Sequence, residues 1–238
     1  MVRKRKLAMV RVKNDLLDYG LKIYQDTDYF KFSIDSVLLA EFVNVKLKDK
    51  TLLDFCCGNA PLLLILKKKS NLTLYGMELQ KNIYDLALQS VLDNNLDISL
   101  INDDVKNCLK YFPEGSLDII TCNPPYFKCN EKNVVNDNYI KAVARHEICI
   151  NFEEIVNLAY KLLKVHGYFY FVHRTDRLIE IIDILAKNNF SIKTLKFVYE
   201  SKNSSACCVL FECVKDGKTQ TYVDKPLFIN NYLEKGDV

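Results

Sequence analysis

The chain has 238 residues, of which 49% are hydrophobic and 26% are charged, and its formal net charge is +3. This length suits one α/β domain, and no Pro-, Gly- or Ser-rich stretch is long enough to link two domains. No apolar run reaches the roughly 20 residues of a membrane-spanning helix, and residues 1–13 lack the apolar core of a signal peptide. We therefore expect one compact, cytoplasmic domain.

The nine cysteines indicate neither a disulfide framework nor a metal site. Their number is odd, and their spacing matches no CxxC zinc pattern. The adjacent pairs Cys56-Cys57 and Cys207-Cys208 lie in apolar segments, where a reduced cysteine behaves as a small hydrophobic side chain. The sequence thus predicts free thiols and no bound metal.

Basic residues are concentrated at the N-terminus, and the rest of the chain is slightly acidic. Six of them precede the first acidic residue, Asp15: Arg3, Lys4, Arg5, Lys6, Arg11 and Lys13. A basic arm suits a polyanion, because phosphates attract lysine and arginine irrespective of sequence; a solvated tail is the alternative. We divide the chain into residues 1–45, a basic arm and a leading helix packed on the core, and residues 46–238, the main domain.

The first half of the chain predicts alternating strands and helices. FSIDSVLLAEFV, at 32–43, predicts a loop followed by a helix capped by Ser33 or Asp35. From residue 51, short apolar runs alternate with amphipathic stretches, which is the pattern of βαβ units and a mostly parallel sheet. The predicted strands are 51–55, 72–76, 98–101 and 117–122, and the predicted helices are 60–69 and 80–95.

The second half predicts the rest of the sheet. Residues 130–150 form one long polar stretch of the kind that often acts as a lid. Asn151 and Glu154 form a capping-box pattern at the start of a helix. A strand at 168–172, a helix from about 176 to 188, and β-prone runs at 191–199 and 206–214 follow. The last two runs have no helix between them and therefore predict an antiparallel hairpin.

The first predicted strand ends in the segment Asp54-Phe-Cys-Cys-Gly58-Asn-Ala60. The carboxyl edge of a parallel sheet is where α/β folds bind ligands. Gly58 would permit a tight turn close to a ligand, and Asp54 would neutralise an ammonium group. The segment resembles the AdoMet-binding signature D-x-G-x-G-x-G, but Cys56 and Ala60 replace its first and third glycines. An ordinary strand-turn-helix is the alternative interpretation.

Two further acidic residues follow the next strands. Glu78 has the spacing from Asp54 at which dinucleotide-type folds bind ribose hydroxyls. The third strand ends in Asn102-Asp103-Asp104-Val105, where Asp104 would accept a hydrogen bond from the cofactor's adenine amine and Val105 would contact the ring. A solvated helix cap at Glu78 and an Asx turn at Asp104 are the alternatives.

The fourth strand ends in Asn123-Pro-Pro-Tyr126, the most specific pattern in the chain. An aromatic amine is a poor nucleophile, because its lone pair is delocalised into its ring. The side-chain oxygen of Asn123 and the carbonyl of Pro124 could orient such an amine and stabilise the charge that develops on it. Tyr126 offers a face on which a flipped-out base can stack. A rigid diproline turn is the alternative.

The chain resembles the tRNA1(Val) (adenine37-N6)-methyltransferases from about residue 20 to about residue 233. The resemblance rests on motifs in the same order: Gln25, FSIDSVLLA at 32–40, Asp54 to Ala60, Glu78, Asp104, NPPYF at 123–127 and Ala144-Arg-His-Glu147. It implies a Rossmann-like, AdoMet-dependent methyltransferase domain at 46–238, with a mostly parallel seven-stranded sheet that ends in an antiparallel hairpin.

The resemblance also implies the reaction and its residues. The cofactor would be S-adenosyl-L-methionine, and the acceptor would be N6 of adenine 37 in a valine tRNA. The catalytic residues would be Asn123, Pro124 and Tyr126. The cofactor would be bound by Asp54, Gly58, Glu78, Asp104 and Asn123. The candidate RNA contacts are Arg3, Lys4, Arg5, Lys6, Arg145 and His146, although Arg145-His146-Glu147 could instead form a salt-bridge network in a lid.

Other functions stay open at this point. Protein glutamine methyltransferases also use NPPY, because a carboxamide nitrogen poses the same lone-pair problem; that family has a helical domain before its cofactor motif, whereas about 50 residues precede Asp54 here. DNA adenine and rRNA guanine methyltransferases share the motif type. A non-catalytic RNA-binding protein on this scaffold would explain the two lost glycines. We predict that His166, His173 and Cys122 are structural residues.

Overall fold

A computed structural model describes residues 11–16, 19–26, 34–126, 150–218 and 220–230. At 11–16 and 26 the description covers the backbone. The strands in these ranges are β1 (Arg11–Leu16), β2 (Leu21–Asp26), β3 (Thr51–Phe55), β4 (Thr73–Met77), β5 (Ile98–Ile101), β6 (Leu117–Cys122), β7 (Leu163–Arg174), β8 (Phe190–Tyr199), β9 (Ala206–Lys215), β10 (Tyr222–Val223) and β11 (Leu227–Phe228). The α-helices are α1 (Ile34–Phe42), α2 (Pro61–Lys69), α3 (Lys81–Asp93), α4 (Phe152–Leu162) and α5 (Leu178–Lys187).

One large sheet organises the main domain. Its seven long strands run in the order β8-β9-β7-β6-β3-β4-β5, and the short strands β10 and β11 pair with the outer strand β8. The strands from β7 to β5 are parallel to one another. β9 lies antiparallel between β7 and β8. The predicted mostly parallel seven-stranded sheet with an antiparallel hairpin is confirmed, and β10 and β11 extend its edge.

Helices cover both faces of this sheet. Side chains of β3 alternate between the faces: Leu52 joins the apolar cluster that contains α1, α2 and α3, and Leu53 joins the cluster that contains α4 and α5. A strand that is covered on both faces needs apolar side chains on both of them. The sequences of the central strands are therefore almost continuously apolar.

The start of α4 follows the sequence pattern closely. The side-chain oxygen of Asn151 accepts a hydrogen bond from the Glu154 N–H at 2.9 Å, and the Asn151 N–H donates to Glu154 Oε2 at 3.0 Å. Such a cap stabilises a helix by about 1 kcal/mol.

Helix α5 begins later than predicted, because a short 3-10 helix, Thr175–Arg177, precedes it.

The N-terminal region contains a hairpin that the sequence analysis missed. β1 and β2 pair antiparallel, with Arg11 opposite Asp26, within the 1–45 region in which we expected a basic arm and a leading helix. In β2 the buried residues Leu21, Ile23 and Gln25 alternate with more exposed ones. This period of two is the signal that could have revealed the strand.

β2 fastens the hairpin to the main domain. The Lys22 N–H donates to Asn94 Oδ1, and the Tyr24 N–H donates to Ser90 Oγ, each at 2.9 Å. The side chain of Asn59, in the turn after β3, donates to the Tyr24 carbonyl at 3.0 Å. The hairpin therefore contacts the segment that the sequence analysis assigned to the cofactor.

The helix predicted in FSIDSVLLAEFV is confirmed as α1, but one predicted cap is wrong. Asp35 lies within the first turn of α1 instead of preceding it, so its carboxylate is available to contact residues outside the helix. Ser33, the other candidate cap, lies outside the described residues.

The candidate RNA contacts and two of the nine cysteines lie outside the described residues. Residues 1–10 and 127–149, and with them the candidate RNA contacts Arg3, Lys4, Arg5, Lys6, Arg145 and His146, lie outside the described residues. The seven cysteines that the structure describes are free thiols. Among the described helices, none has the length and apolar character needed to cross a membrane. The described side chains include no cluster of three or more His, Cys, Asp or Glu that could hold a metal ion.

Candidate active site

The predicted cofactor and acceptor motifs meet at one edge of the sheet. Phe55, the last residue of β3, lies opposite Met77 of β4 on one side and Cys122 of β6 on the other. Glu78 and Asn123 follow these partners directly. The carboxyl ends of parallel strands share an edge, so motifs far apart in the chain become neighbours there.

The turn after β3 keeps the backbone path of a glycine-rich loop. Cys56, Gly58 and Ala60 all have left-handed backbone conformations, with φ of 54°, 57° and 67°. These are the three positions at which the signature has glycine. A non-glycine residue in this conformation costs roughly 1–2 kcal/mol. The replacements at Cys56 and Ala60 have therefore kept the turn and introduced backbone strain.

Glu78 braces this turn. Its Oε2 accepts a hydrogen bond from the Gly58 N–H at 3.0 Å, and its Oε1 accepts one from the Gln80 N–H at 2.8 Å. Burial raises the pKa of Glu78 above its ordinary value, against these backbone hydrogen bonds. Each carboxylate oxygen has a second lone pair, so Glu78 can still accept from ribose hydroxyls.

Asp54 is buried beneath the same turn, with 3% of its surface exposed. The Thr121 hydroxyl donates to Asp54 Oδ1 at 2.7 Å and is the one hydrogen-bond donor to this carboxyl group within the described residues. Burial raises the pKa of Asp54 to about 7, against the hydrogen bond from Thr121, and the negative charge of Glu78 adds to the rise. A cationic ligand would stabilise the ionised form.

The loop after β5 gives Asp104 a structural contact. Its Oδ1 accepts a hydrogen bond from the Lys106 N–H at 2.9 Å and caps the 3-10 helix Val105–Lys110. The Asx turn considered from the sequence is therefore formed, and the adenine contact of Asp104 stays a prediction for its remaining acceptor positions. Val105 is buried in the apolar core.

The side chain of Asn123 is hydrogen-bonded to Ser36 and Tyr126. Its side-chain Nδ2 donates to Ser36 Oγ at 2.9 Å, and its Oδ1 accepts a hydrogen bond from the Tyr126 hydroxyl at 2.5 Å. The Tyr126 hydroxyl also lies 2.9 Å from Asp35 Oδ2. Helix α1 thus contributes two side chains to the site, which the sequence analysis missed. The available signal was a pair of polar residues, Asp35 and Ser36, within an apolar helix.

The ring and backbone of Tyr126 are also fixed. The ring centroid lies 5.3 Å from that of His173, and Arg177 Nη1 donates to the Tyr126 carbonyl at 3.1 Å. His173 is fully buried, and burial together with the charge of Arg177 lowers its pKa to about 3. His173 is therefore a neutral side chain that packs against Tyr126, as predicted for a structural residue, but its Nε2 is buried without a hydrogen-bond partner among the described residues. Burial raises the pKa of Cys122 well above its ordinary value, which disfavours a nucleophilic thiolate.

Fold and site together define a Rossmann-like methyltransferase. Residues 29–188 match the family model described as "Methyltransferase small domain". The match covers more than half of the chain, and the chain belongs to this family.

Similar proteins carry more specific names. The tRNA1(Val) (adenine(37)-N6)-methyltransferase of Pseudoalteromonas translucida is 26% identical over 223 residues, or 90% of each chain. Uncharacterized protein MG259 of Mycoplasma genitalium is 41% identical over 101 residues, which are 42% of this chain and only 22% of MG259. The release factor glutamine methyltransferase of Flavobacterium psychrophilum is 25% identical over 192 residues, covering 75% of this chain and 67% of that protein.

A solved structure shows the shared fold. A predicted O-methyltransferase of Agrobacterium tumefaciens, protein Atu636, has 16% sequence identity and a TM-score of 0.65 to this chain, covering 86% of this chain and 97% of that one.

The residues at the carboxyl edge fit S-adenosyl-L-methionine, the cofactor of this methyltransferase. A Cβ added to Gly58 would meet no heavy atom of the described residues within 4 Å, so these residues leave room for a ligand beside Gly58. The carboxyl groups of Asp54 and Glu78 suit an ammonium group and ribose hydroxyls. Bound there, the cofactor supplies an electrophilic methyl group on a sulfonium.

Proposed function

We propose that this protein transfers a methyl group from S-adenosyl-L-methionine to N6 of an adenine in tRNA, and that the acceptor is adenine 37 of a valine tRNA. The observation that carries this proposal is the position of Asn123-Pro-Pro-Tyr126, at the same sheet edge as Asp54 and Glu78. The name of the Pseudoalteromonas relative, which matches 90% of this chain, supports the choice of tRNA.

Orientation and charge stabilisation are the tasks of the acceptor residues. Asn123 Oδ1 and the Pro124 carbonyl accept the two hydrogens of the adenine amine, which directs its lone pair toward the methyl group. The same two oxygens stabilise the positive charge that develops on nitrogen as the nitrogen–carbon bond forms and the methyl carbon–sulfur bond breaks, which would leave the donor as a neutral thioether. The nitrogen then loses one proton to solvent. The ring of Tyr126, in contact with His173, provides the surface on which the adenine stacks.

The main test is nucleoside mass spectrometry of tRNA incubated with the protein and isotopically labelled S-adenosyl-L-methionine. We expect labelled N6-methyladenosine in valine tRNA and none in the same transcript with adenine 37 replaced by guanine. Asn123→Ala should abolish transfer and keep most of the cofactor affinity. Asn157→Ala, which removes an exposed side-chain amide on α4, is the matched control and should be fully active.

A different acceptor would overturn the proposal. The same protein preparations should be incubated with release factors, because the Flavobacterium relative bears a glutamine methyltransferase name. Methylated glutamine without methylated adenosine would assign the site to the carboxamide reaction, which the NPPY turn serves by the same hydrogen bonds.

The basic arm provides a second test of the RNA substrate. Because β1 begins at Arg11, a deletion of residues 1–10 removes Arg3, Lys4, Arg5 and Lys6 and spares the hairpin. If all four contact phosphates, the deletion should weaken tRNA binding and reduce the slope of log affinity against log salt by up to about 4. Cofactor affinity should be unchanged, and an unaltered salt slope would show that the arm does not bind RNA.

A further inference from the structure

Two side chains of α1 contact acceptor residues that lie 87 and 91 positions later in the chain. Ser36 Oγ accepts a hydrogen bond from Asn123 Nδ2 at 2.9 Å, and Asp35 Oδ2 lies 2.9 Å from the Tyr126 hydroxyl. α1 itself is held in place by the buried residues Val37, Leu38, Leu39 and Ala40. Because α1 is packed in the core, it holds Asp35 and Ser36 in place beside Tyr126 and Asn123.

Ser36 determines which atom of the Asn123 amide is available to an acceptor. An amide has two donor hydrogens on nitrogen and an acceptor oxygen, and an incoming amine needs the oxygen. With Nδ2 bonded to Ser36, the oxygen is the atom that meets the Tyr126 hydroxyl at 2.5 Å. If the Asn123 amide were rotated by 180°, its NH₂ group would take the place of Oδ1 and would face the hydrogens of the amine, with which it cannot form a hydrogen bond.

The Tyr126 hydroxyl has one proton and two neighbouring acceptors, Asn123 Oδ1 and Asp35 Oδ2. Burial, followed by the negative charge of Asp35, raises the pKa of Tyr126 well above its ordinary value, so the hydroxyl keeps that proton. Asn123 Oδ1, which an acceptor amine needs, and Asp35 Oδ2 both lie within hydrogen-bonding distance of this hydroxyl. Asn123 Oδ1 has two lone pairs, so a hydroxyl that donates to it competes with the amine for the oxygen, whereas a hydroxyl that donates to Asp35 leaves both lone pairs to the amine.

We propose that Asp35 and Ser36 are positioning residues for the acceptor amine. Ser36 holds the Asn123 amide with its oxygen toward the amine. Asp35 accepts the hydrogen bond of the Tyr126 hydroxyl when the amine binds Asn123 Oδ1. The inference rests on the proposed function only in requiring an acceptor nitrogen that binds Asn123, which holds for an adenine and for a glutamine.

A double-mutant cycle tests the role of Asp35. Asp35→Ala removes one of the two acceptors of the hydroxyl, so the hydroxyl competes with the amine, and kcat/KM for the acceptor should fall by about tenfold. Tyr126→Phe removes the competitor and keeps the ring. The double variant Asp35→Ala/Tyr126→Phe should therefore be as active as Tyr126→Phe alone and more active than Asp35→Ala.

Conservative variants separate positioning from folding. Asp35→Asn keeps an oxygen acceptor and should retain most of the activity. Glu41→Gln, a surface change near the other end of α1, is the matched control for the helix and should leave activity unchanged. All variants should bind S-adenosyl-L-methionine with wild-type affinity in calorimetry. Additive losses in the double variant, with equal loss of thermal stability, would overturn the role of Asp35.

Ser36 is tested by a spectroscopic signal of the Asn123 amide together with methyl transfer. In the ligand-free protein, the side-chain amide signal of Asn123 in ¹H–¹⁵N spectra should shift in Ser36→Ala, because Nδ2 loses its acceptor, and should return toward its wild-type position in Ser36→Thr. Methyl transfer should fall and recover in the same order. An unshifted signal in Ser36→Ala would overturn the role of Ser36.

The two proposals fail differently. If the wild-type protein methylates glutamine and not tRNA, the proposed function is wrong, and the same variants test Asp35 and Ser36 on the protein substrate. If wild-type protein methylates tRNA and Asp35→Ala is equally active, the role of Asp35 is wrong and the proposed function stands.

Discussion

Asp54 and Asp118 lie on the adjacent strands β3 and β6, at opposite edges of the same sheet. Asp118, at the amino edge, accepts hydrogen bonds from the Lys50 N–H, the Thr51 N–H and hydroxyl, and the Lys164 ammonium, at 2.6–3.1 Å. Asp54, at the carboxyl edge, accepts one hydrogen bond, from Thr121, within the described residues. The two carboxyl groups thus have the same chemistry and very different surroundings.

The difference appears in their proton affinities. Burial works against the ionised form of Asp118, but the hydrogen bonds from Lys164, Lys50 and Thr51 outweigh it and lower the pKa below its ordinary value. For Asp54 burial dominates and raises the pKa to about 7. Within the described residues, the carboxylate at the amino edge is satisfied by several donors, whereas the carboxylate at the ligand-binding edge has one donor and a raised pKa, as is common at functional sites.

Exchange of each aspartate for asparagine should separate the two roles most strongly. Asp54→Asn should weaken S-adenosyl-L-methionine binding by about 1.5–3 kcal/mol, the range for a hydrogen bond to a charged group, and should not reduce stability, because it removes a buried charge. Asp118→Asn should lower the free energy of unfolding by about 1–3 kcal/mol and keep cofactor affinity. Calorimetry and urea unfolding measure the two effects. Loss of stability at Asp54 and of affinity at Asp118 would reverse the comparison.

The pH dependence of cofactor binding is the next largest effect. Because the ionised form of Asp54 binds the cation and its pKa is about 7, affinity should rise about fivefold between pH 6 and pH 7, where an α-ammonium group is still mostly protonated. Asp54→Asn should remove this rise. Asp118 should contribute nothing in this window, because its lowered pKa keeps it ionised throughout. A pH-independent dissociation constant would show that Asp54 does not bind the cofactor cation.

Stability of the ligand-free protein should show the opposite trend. The native state keeps a proton on Asp54 between the ordinary pKa of 3.8 and the raised pKa of about 7, whereas the unfolded state has lost it. The native state therefore binds more protons, and the contribution of Asp54 to stability falls as pH rises through this window, by up to about 1.4 kcal/mol per pH unit. Asp54→Asn should flatten this part of the unfolding profile.

The smallest effect concerns the strained residues at each edge. His166, exposed at the amino edge, has φ of 61°, and Cys56, at the carboxyl edge, has φ of 54°. His166→Gly should raise the free energy of unfolding by about 0.5 kcal/mol, since relief of left-handed strain exceeds the added chain entropy, and should leave cofactor affinity unchanged. Cys56→Gly should preserve or tighten cofactor binding. Tenfold weaker binding would show that the Cys56 thiol contributes to the site.

The sequence by itself determined the architecture of the main domain and the place of its chemistry. Strands and helices of the βαβ units differ in the period of their apolar residues, and that period is a local property. Asp54, Glu78 and Asn123 each stand at the end of a predicted strand. Since all these strands are parallel, their ends had to meet at one edge.

Only the tertiary structure decided how the site is held and charged. Ser36 and Asn123 are 87 positions apart in the chain, and their contact depends on how α1 packs on the sheet. The pKa of Asp54 depends on burial by surrounding elements, and the contact of Asn59 with Tyr24 depends on the docking of the hairpin. Local patterns specify backbone conformation, whereas burial and contacts between distant segments arise only when those segments fold against one another.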